Sequence, residues 1–238
     1  SVAYNIPKFF EIREKLDKER IEKVLNQLIS RHEILRTSYD IVDDEIVQRI
    51  EPNWDLEFVY NEISEKEAKV RIDNFIRPFN LRQAPLLRAE LIKVEDSRYF
   101  FMVDIHHIAS DGVSDGILMN EFIRAYKSQE LDEIEFTYKD YSNWQNKLRK
   151  TGVIEKQEKY WLDRLKGELP RLNLPFDYVE AKNRNFEGRN EGFIIDEDLA
   201  VGLQKLAKQT GTTLYNVLLA AFNIMLSKIC GQEDIVVG

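Results

Sequence analysis

Two apolar stretches in the middle of the chain are the feature that most constrains its fold. Leu86–Val94 and Tyr99–His107 are rich in branched and aromatic residues, and the polar segment Glu95–Ser97 separates them. Two such runs joined by a short polar turn predict a β-hairpin. Downstream of Asp17, a residue suited to cap a helix, apolar side chains recur at helical spacing. The chain is therefore predicted to be a mixed α/β (α+β) sandwich rather than a doubly wound sheet.

The rest of the chain alternates between strand-like runs and segments of helical periodicity. Further strands are predicted at Ile34–Ile41, Glu45–Ile50, Leu56–Tyr60 and Gly192–Ile195, and Asp234–Gly238 resembles a buried strand. Helices are predicted at about Ser64–Phe75, from Gly112 onward, and at Tyr141–Arg149, Glu155–Leu165, Asp196–Lys208 and Leu214–Ile229. The helix that begins near Gly112 is predicted to bury Ile117, Leu118, Phe122 and Ala125. The last helix is mostly apolar, which predicts that it is buried.

Composition excludes several classes of function. The net charge is −8, from 34 basic and 42 acidic residues, whereas a nucleic-acid-binding protein needs a basic face. Cys230 is the only cysteine, so no intramolecular disulfide can form, which fits a cytoplasmic protein. The longest apolar stretch, Leu214–Ile229, is too short and too polar to span a bilayer. We therefore expect neither nucleic acid nor a membrane as a partner.

A pair of adjacent histidines ends the more apolar strand of the hairpin. Side chains alternate across a strand, so His107 is expected to share a face with Ile105, and His106 with Asp104. Only one imidazole is then expected to face a substrate. A tight turn and a helix beginning near Gly112 follow, which brings free backbone N–H groups near the pair. A histidine there can exchange a proton near neutral pH, beside donors suited to a developing oxyanion.

Other interpretations of the pair are weaker. Adjacent histidines diverge, and no cysteine or carboxylate lies at ligand spacing, which argues against a metal site. Ser110 and Ser114 do not lie in a G-x-S-x-G elbow, which argues against a serine hydrolase. The remaining interpretation is purely structural: a histidine at a strand end whose ring is hydrogen-bonded within the core. This interpretation would be favoured for a single histidine.

Residues 106–112 (HHIASDG) resemble the core motif of the condensation domains of nonribosomal peptide synthetases, within the chloramphenicol acetyltransferase-like superfamily. Four further segments match that family in order: residues 31–37 (RHEILRT), 85–88 (PLLR), 138–145 (YKDYSNWQ) and 231–238 (GQEDIVVG). Within the third of these, Tyr138, Tyr141 and Trp144 have the spacing of an aromatic stripe in a helical core.

The resemblance implies a fold and a reaction. It implies an acetyltransferase-like lobe with a mixed or antiparallel sheet flanked by helices over residues 1–171, a linker over 172–190, and the start of a second, similar lobe over 191–238. In this family, the amine of one carrier-bound aminoacyl thioester attacks the carbonyl of another, which forms an amide. Both ends of the chain look cut, so we expect this fragment alone not to condense its substrates.

The resemblance also assigns roles to individual residues. His107 would act on the attacking amine, either as a base or by positioning it. His106 and Asp111 would support the structure, with Asp111 paired to Arg31. Gly112 would keep the helix start open to the substrate arm. Arg36 would, with Arg31, support the structure of the site. The alternative is that Arg36, Glu33 and His32 are only packing and ion-pair residues of the first lobe.

The resemblance further implies partners and cofactors. The substrates would arrive on the 4′-phosphopantetheine arms of upstream and downstream peptidyl carrier proteins, with an adenylation domain in the same synthetase. No cofactor is expected within the domain, and no metal. Two alternatives stay open: an acyltransferase of the HHxxxDG type with a free alcohol or amine acceptor, and a noncatalytic module that docks carriers or partner enzymes.

Overall fold

The computed structural model describes residues 1–177 and 191–237. These residues divide into two compact units, 1–150 and 151 onward, and each is described by itself. Most of the predicted linker, residues 178–190, lies outside the described residues, as does Gly238. The lobe boundaries therefore stay a prediction.

The first unit contains all six strands of the described chain and four of its helices. The strands are β1 (Asn5–Ile12), β2 (Thr37–Val42), β3 (Glu45–Ile50), β4 (Glu57–Glu62), β5 (Leu87–Glu95) and β6 (Arg98–His106). The helices are α1 (Lys18–Arg31), α2 (Glu65–Phe75), α3 (Gly112–Tyr126) and α4 (Tyr138–Leu148), with a short 3-10 turn at Glu33–Arg36.

A mixed four-stranded sheet in the order β1-β6-β5-β4 forms the centre of this unit, and β2 and β3 form a separate hairpin. The predicted hairpin is confirmed as the antiparallel pair β5 and β6, with Leu87 opposite Ile105. Strand β4 runs parallel to β5, whereas β1 runs antiparallel to β6. The motif of residues 106–112 therefore begins where a central strand ends.

Strand β1 was not predicted from the sequence. Pro7 interrupts the run, and proline lacks the N–H that a central strand must donate. The structure accommodates it because β1 is the edge of the sheet, where Pro7 lies opposite Asp104.

Helices cover both faces of the sheet, which confirms the predicted sandwich. On one face, α1 contributes Ile21, Leu25 and Ile29 to clusters with alternate residues of β5 and β6. On the other, Ala68 and Phe75 of α2 pack on residues that include Ile92 and Met102, both fully buried. Alternation along each strand sends one set of side chains to each helical layer.

Two predicted helix caps are confirmed. The carboxylate of Asp17 accepts a hydrogen bond from the backbone N–H of Arg20 at the start of α1, at 3.1 Å. Ser64 and Glu67 form a reciprocal capping box at the start of α2. Each cap satisfies amides that the first helical turn cannot pair internally.

Two expectations in the first unit are corrected. Residues 33–36 form a 3-10 turn rather than the beginning of a strand, and Thr37 begins β2. Ile117 is half exposed rather than buried, because only part of the α3 surface faces α1 and the sheet.

The second unit is helical in its described part. It contains α5 (Val153–Arg164), α6 (Glu197–Gln209) and α7 (Leu214–Cys230). The helices match the predicted segments, and the Asp196 side chain caps α6 by accepting from the Leu199 N–H at 2.8 Å. Gly211 follows α6 with a φ of 65°, the left-handed conformation that glycine adopts at helix ends.

Burial in the second unit differs from expectation. Only Leu226 of α7 is buried, and Leu218, Phe222 and Met225 are each at least 40% exposed. Helix α7 is apolar around most of its circumference, and α6 as its packed neighbour covers only one side of it. Strands were also predicted at Gly192–Ile195 and at the chain end. In the described residues 191–196 and 232–237 the backbone forms no strand.

No single helix among the described residues is long and apolar enough to cross a membrane. Helices α6 and α7 meet that length and composition test only as a pair, with a 106° bend between them.

Candidate active site

His106 is the last residue of β6, and aromatic rings surround it. Its ring centroid lies 6.2 Å from that of Tyr4 and 6.0 Å from that of Phe79. Its Nδ1 accepts a hydrogen bond from the N–H of Ile108 at 3.1 Å, which requires that Nδ1 carry no proton. Burial lowers the pKa of His106 below its ordinary value of 6.5, and the charge of neighbouring His107 lowers it further. His106 therefore supports the turn as a neutral ring.

His107 follows the strand and lies in a different environment. Its backbone N–H donates to the carbonyl of Tyr4 at 2.8 Å, which ties the residue to the start of β1. Its side chain is exposed, and within residues 1–177 and 191–237 its imidazole has no hydrogen-bond or ion-pair partner. Of the two rings, His107 is the one that can meet a substrate.

Asp111 caps the helix that follows the turn. Its carboxylate accepts from the backbone N–H of Ser114 at 2.8 Å and from the Ser114 hydroxyl at 2.7 Å. These two bonds hold the pKa of Asp111 below its usual range. The expectation of freely available N–H groups at this helix start is thus only partly met, since the cap occupies one of them.

The predicted ion pair between Asp111 and Arg31 is wrong. Asp111 is exposed, so it does not need a buried cationic partner, which was the premise of the prediction. Arg31 instead pairs with Glu121 of α3 at 3.1 Å.

Gly112 opens α3 without close neighbours. A Cβ added at this position would meet no atom within 4 Å. The start of the helix is therefore accessible, and packing does not by itself require a glycine there.

Arg31 and His32 form a clamp on Glu121. Arg31 donates from Nε and Nη2 to the carboxylate, and His32 Nε2 lies 2.6 Å from Oε2. Burial would raise the pKa of Glu121, but the hydrogen bonds from Arg31 and His32 together outweigh it and keep the pKa below its usual range. The clamp joins the end of α1 to the third turn of α3, the helix that Asp111 caps.

Arg36 supports the neighbouring loop rather than the motif itself. Its Nη1 donates to the Glu51 carbonyl at 2.8 Å, and its guanidinium lies 5.6 Å from the centre of the Trp54 ring. It also lies 3.9 Å from Glu33. The packing and ion-pair interpretation of the residue 31–37 segment therefore describes its contacts well.

Asp115 is a functional candidate that sequence reasoning missed. Its Oδ1 accepts from the hydroxyl of Ser110 at 2.9 Å, and its Oδ2 pairs with Lys8 Nζ at 2.9 Å. Ser110 lies within the turn between His107 and Asp111. No sequence pattern joins Lys8 to Asp115, because β1 was not recognised as a strand beside β6.

A buried ion pair behind His106 was also missed. Arg88 and Asp104 lie opposite each other on β5 and β6 and are almost wholly buried, with 3.2 Å between Nε and Oδ2. Burial raises the pKa of Asp104, although Asn5 and Arg88 oppose the shift. The Arg88 guanidinium stacks 3.8 Å from the centre of the Phe79 ring, which in turn packs edge-on against His106.

An apolar cavity of about 490 Å³ lies between β1, β6 and α3, and its lining is apolar apart from Lys8, Glu11 and Asp115. It lies on the face of β6 that carries Phe101, Val103 and Ile105.

The aromatic stripe of α4 is not part of the core. Tyr138, Tyr141 and Trp144 are 49%, 49% and 56% exposed. Their rings pack on one another, with centroids 6.0 and 5.7 Å apart. The buried clusters of this unit contain no residue of α4, and Lys139 links the helix to Glu33 through an exposed ion pair.

This geometry suits acid–base or positioning chemistry by one imidazole. No group of three or more His, Cys, Asp or Glu side chains in the described ranges is arranged to bind a metal ion. The site offers an exposed histidine at a strand end, a capped helix start and a turn that is tied to β1.

The fold, the motif and the family comparison agree on the class. The family model described as Condensation domain matches residues 1–238, and the chain belongs to this family.

Its relatives include large synthetases. The chain is 46% identical over 237 residues to tyrocidine synthase 3 of Brevibacillus parabrevis, covering 100% of this chain and 4% of that protein. It is 43% identical over 236 residues to bacitracin synthase 2 of Bacillus licheniformis, covering 99% of this chain and 9% of that protein. The chain thus spans less than a tenth of the length of these curated relatives.

Solved structures support the fold. A four-domain nonribosomal peptide synthetase bound to AMP and glycine matches 97% of this chain and 18% of its own, with a TM-score of 0.79 and 22% identity. The X-domain from teicoplanin biosynthesis matches 95% of this chain and 53% of its own, with a TM-score of 0.78 and 21% identity.

Proposed function

We propose that this chain takes part in forming an amide bond between two carrier-bound aminoacyl or peptidyl thioesters in nonribosomal peptide synthesis. The observation that carries the proposal is the intact motif of residues 106–112, with His107 exposed beyond β6 in a member of the condensation family. The synthetases among its relatives support the same reaction.

The proposed reaction needs little activation. The acceptor amine attacks the thioester carbonyl of the donor, the C–N bond forms, and the thiol of the donor arm leaves as the C–S bond breaks. His107 hydrogen-bonds to the amine and accepts its proton, and the departing thiolate is protonated in turn. Much of the rate then comes from holding two tethered reactants together.

The other site residues have supporting roles in this proposal. His106 and Asp111 shape the turn and the helix start, and Gly112 leaves the approach of the substrate arm open. Arg31 and Arg36 hold the elements around the site through Glu121 and the loop at Glu51.

The proposed partners are upstream and downstream peptidyl carrier proteins that present substrates on 4′-phosphopantetheine, and an adenylation domain of the same synthetase. The domain itself uses no cofactor, and it works in the cytoplasm. Residues 1–171 form the first acetyltransferase-like lobe, 172–190 the linker, and 191–238 the beginning of the second lobe.

A carrier-loaded condensation assay with the full-length protein tests the proposal. Donor and acceptor aminoacyl groups are loaded on separate carrier proteins, and intact-protein mass spectrometry follows the dipeptide on the acceptor carrier. A matched arm supplies the same groups as coenzyme A thioesters without carriers. We expect product only in the carrier arm. Equal turnover in the coenzyme A arm would instead support an acyltransferase with a free acceptor.

A further inference from the structure

Residues 4–8, which lead into β1 and form its first half, contact the active-site turn at one point and the first turn of α3 at another. The carbonyl of Tyr4 accepts from the His107 N–H at 2.8 Å. Four residues later, Lys8 pairs with Asp115 of α3 at 2.9 Å, and the same carboxylate accepts from the Ser110 hydroxyl at 2.9 Å. The turn between His107 and Asp111 is therefore held to both β1 and the first turn of α3.

These contacts are shielded from water, which makes them effective restraints. Ser110 is 5% exposed, and the side chains of Asp115 and Lys8 are 18% and 25% exposed. A buried hydroxyl is costly to leave without a partner, so the hydrogen bond from Ser110 to Asp115 fixes the position of the turn. The two carboxylate oxygens of Asp115 serve different partners, so Lys8 also fixes the orientation of the carboxylate that Ser110 uses.

We propose that Asp115 is a positioning residue for His107, and that Lys8 holds Asp115 in the geometry required. This inference rests on the proposed function, because it concerns the position of the His107 imidazole relative to the attacking amine. Asp115 is not assigned a contact with substrate. Asp115 acts through its hydrogen bond with Ser110, which lies three residues after His107. His107 and Ser110 both belong to the turn that ends at Asp111, the cap of α3.

The consequence is a loss of rate rather than of binding. An imidazole displaced by about 1 Å from a reacting group can lose roughly a hundredfold in rate, although substrate binding elsewhere is unchanged. Asp115 is assigned no contact with a carrier protein or with the substrate, so we expect the apparent affinity for the loaded carriers not to depend on it.

The test compares four variants of the full-length protein in the carrier-loaded assay, with kcat and KM for the loaded acceptor carrier measured separately. Asp115→Ala removes both contacts, Asp115→Asn keeps an acceptor for Ser110, and Lys8→Met removes only the ion pair. Lys93→Met is the matched control, because Lys93 is equally exposed at 25% and pairs with Glu62 at the far end of β5. Circular dichroism and thermal melting verify that each variant is folded.

We expect kcat to fall by about tenfold to a hundredfold in Asp115→Ala, and by less in Asp115→Asn and Lys8→Met, which both lose the ion pair but keep an acceptor for Ser110, with KM nearly constant. Lys93→Met should match the wild type. Unchanged kcat in folded Asp115→Ala, or a rise in KM alone, would overturn the inference. His107→Ala is measured alongside. If His107→Ala retains full activity, the proposed function fails. If His107→Ala is inactive but Asp115→Ala has the kcat of the wild type, only the positioning role of Asp115 is refuted.

Discussion

At the scale of single residues, the two adjacent histidines lie in different surroundings, which suits them to different roles. His106 packs between Tyr4 and Phe79 and accepts a hydrogen bond from the turn. His107 is exposed, and among the described residues its backbone N–H anchors it to the Tyr4 carbonyl. The motif therefore combines one ring that builds the turn with one that is available for chemistry.

His106 makes stability sensitive to acid. Its pKa is lowered in the folded protein, chiefly by burial, so the unfolded state binds more protons as the pH falls below about 6.5. This contribution to stability is therefore fully present above 6.5 and is lost as the pH falls from there toward the folded pKa. We expect His106→Phe, which keeps an aromatic ring, to lose less stability than the wild type over this window.

Urea denaturation at about pH 7.5 and about pH 5.5 measures this difference for both proteins. Titration of the carboxylates is common to both proteins, so only the difference between them reports on His106. An identical loss of stability in the two would contradict the assignment.

At the scale of elements, α1 and α3 are joined by a charged clamp as well as by apolar packing. Val24 and Leu28 of α1 contact Ala125 of α3, and Arg31 and His32 both bind Glu121. The clamp orients the helix that begins at the active-site turn. Within the residue 31–37 segment, Arg31 and His32 thus contact α3, whereas Arg36 contacts the loop at Glu51.

Removing the acceptor of this clamp should be costly. Glu121→Ala leaves Arg31 and His32 partly buried without their anion, and we expect a loss of about 2 kcal/mol in the free energy of unfolding. Glu121→Gln, which keeps a hydrogen-bond acceptor, should lose less. Chemical denaturation measures both.

Glu65→Ala serves as the control, because Glu65 is 66% exposed and pairs with Arg98 at the surface. Exposed pairs contribute little to stability. If Glu121→Ala is no more destabilising than Glu65→Ala, the clamp is not a structural support.

Sequence patterns predicted elements with strong local signals and missed those that depend on neighbours. The β5–β6 hairpin and the caps at Asp17 and Ser64 follow from local residues, and the structure confirms them. Strand β1 was missed because Pro7 is compatible only with an edge position, which the sequence does not reveal. The clamp on Glu121 was missed for a similar reason, since Arg31 and Glu121 lie 90 residues apart.

At the scale of the whole molecule, buried apolar packing among the described residues is concentrated in the first unit. The clusters of fully buried residues, including Leu35, Leu91 and Met102, lie within residues 1–150. The described part of the second unit is largely exposed, and its apolar helix α7 shows how composition alone misjudges burial. Apolar periodicity predicts that a face can be covered, but a partner element must be present to cover it.

Hydrogen exchange of the 238-residue chain should reflect this difference. Amides of α1, β5 and β6 belong to the buried layers and should exchange slowest, whereas those of α5 and α7 should exchange much faster. Mass spectrometry of peptide fragments reads each element separately. Protection of α7 equal to that of β6 would show that the second unit is as well covered as the first.

The rate of the carrier-loaded condensation after His107→Ala in the full-length protein tests directly whether His107 acts on the attacking amine. Folding is verified by circular dichroism, and His106→Phe is measured in parallel. We expect His107→Ala to lose at least about a hundredfold in rate, the range typical of a positioned acid–base group, while His106→Phe retains measurable condensation. Wild-type product formation by a folded His107→Ala variant would contradict this role for His107 and favour a noncatalytic docking module.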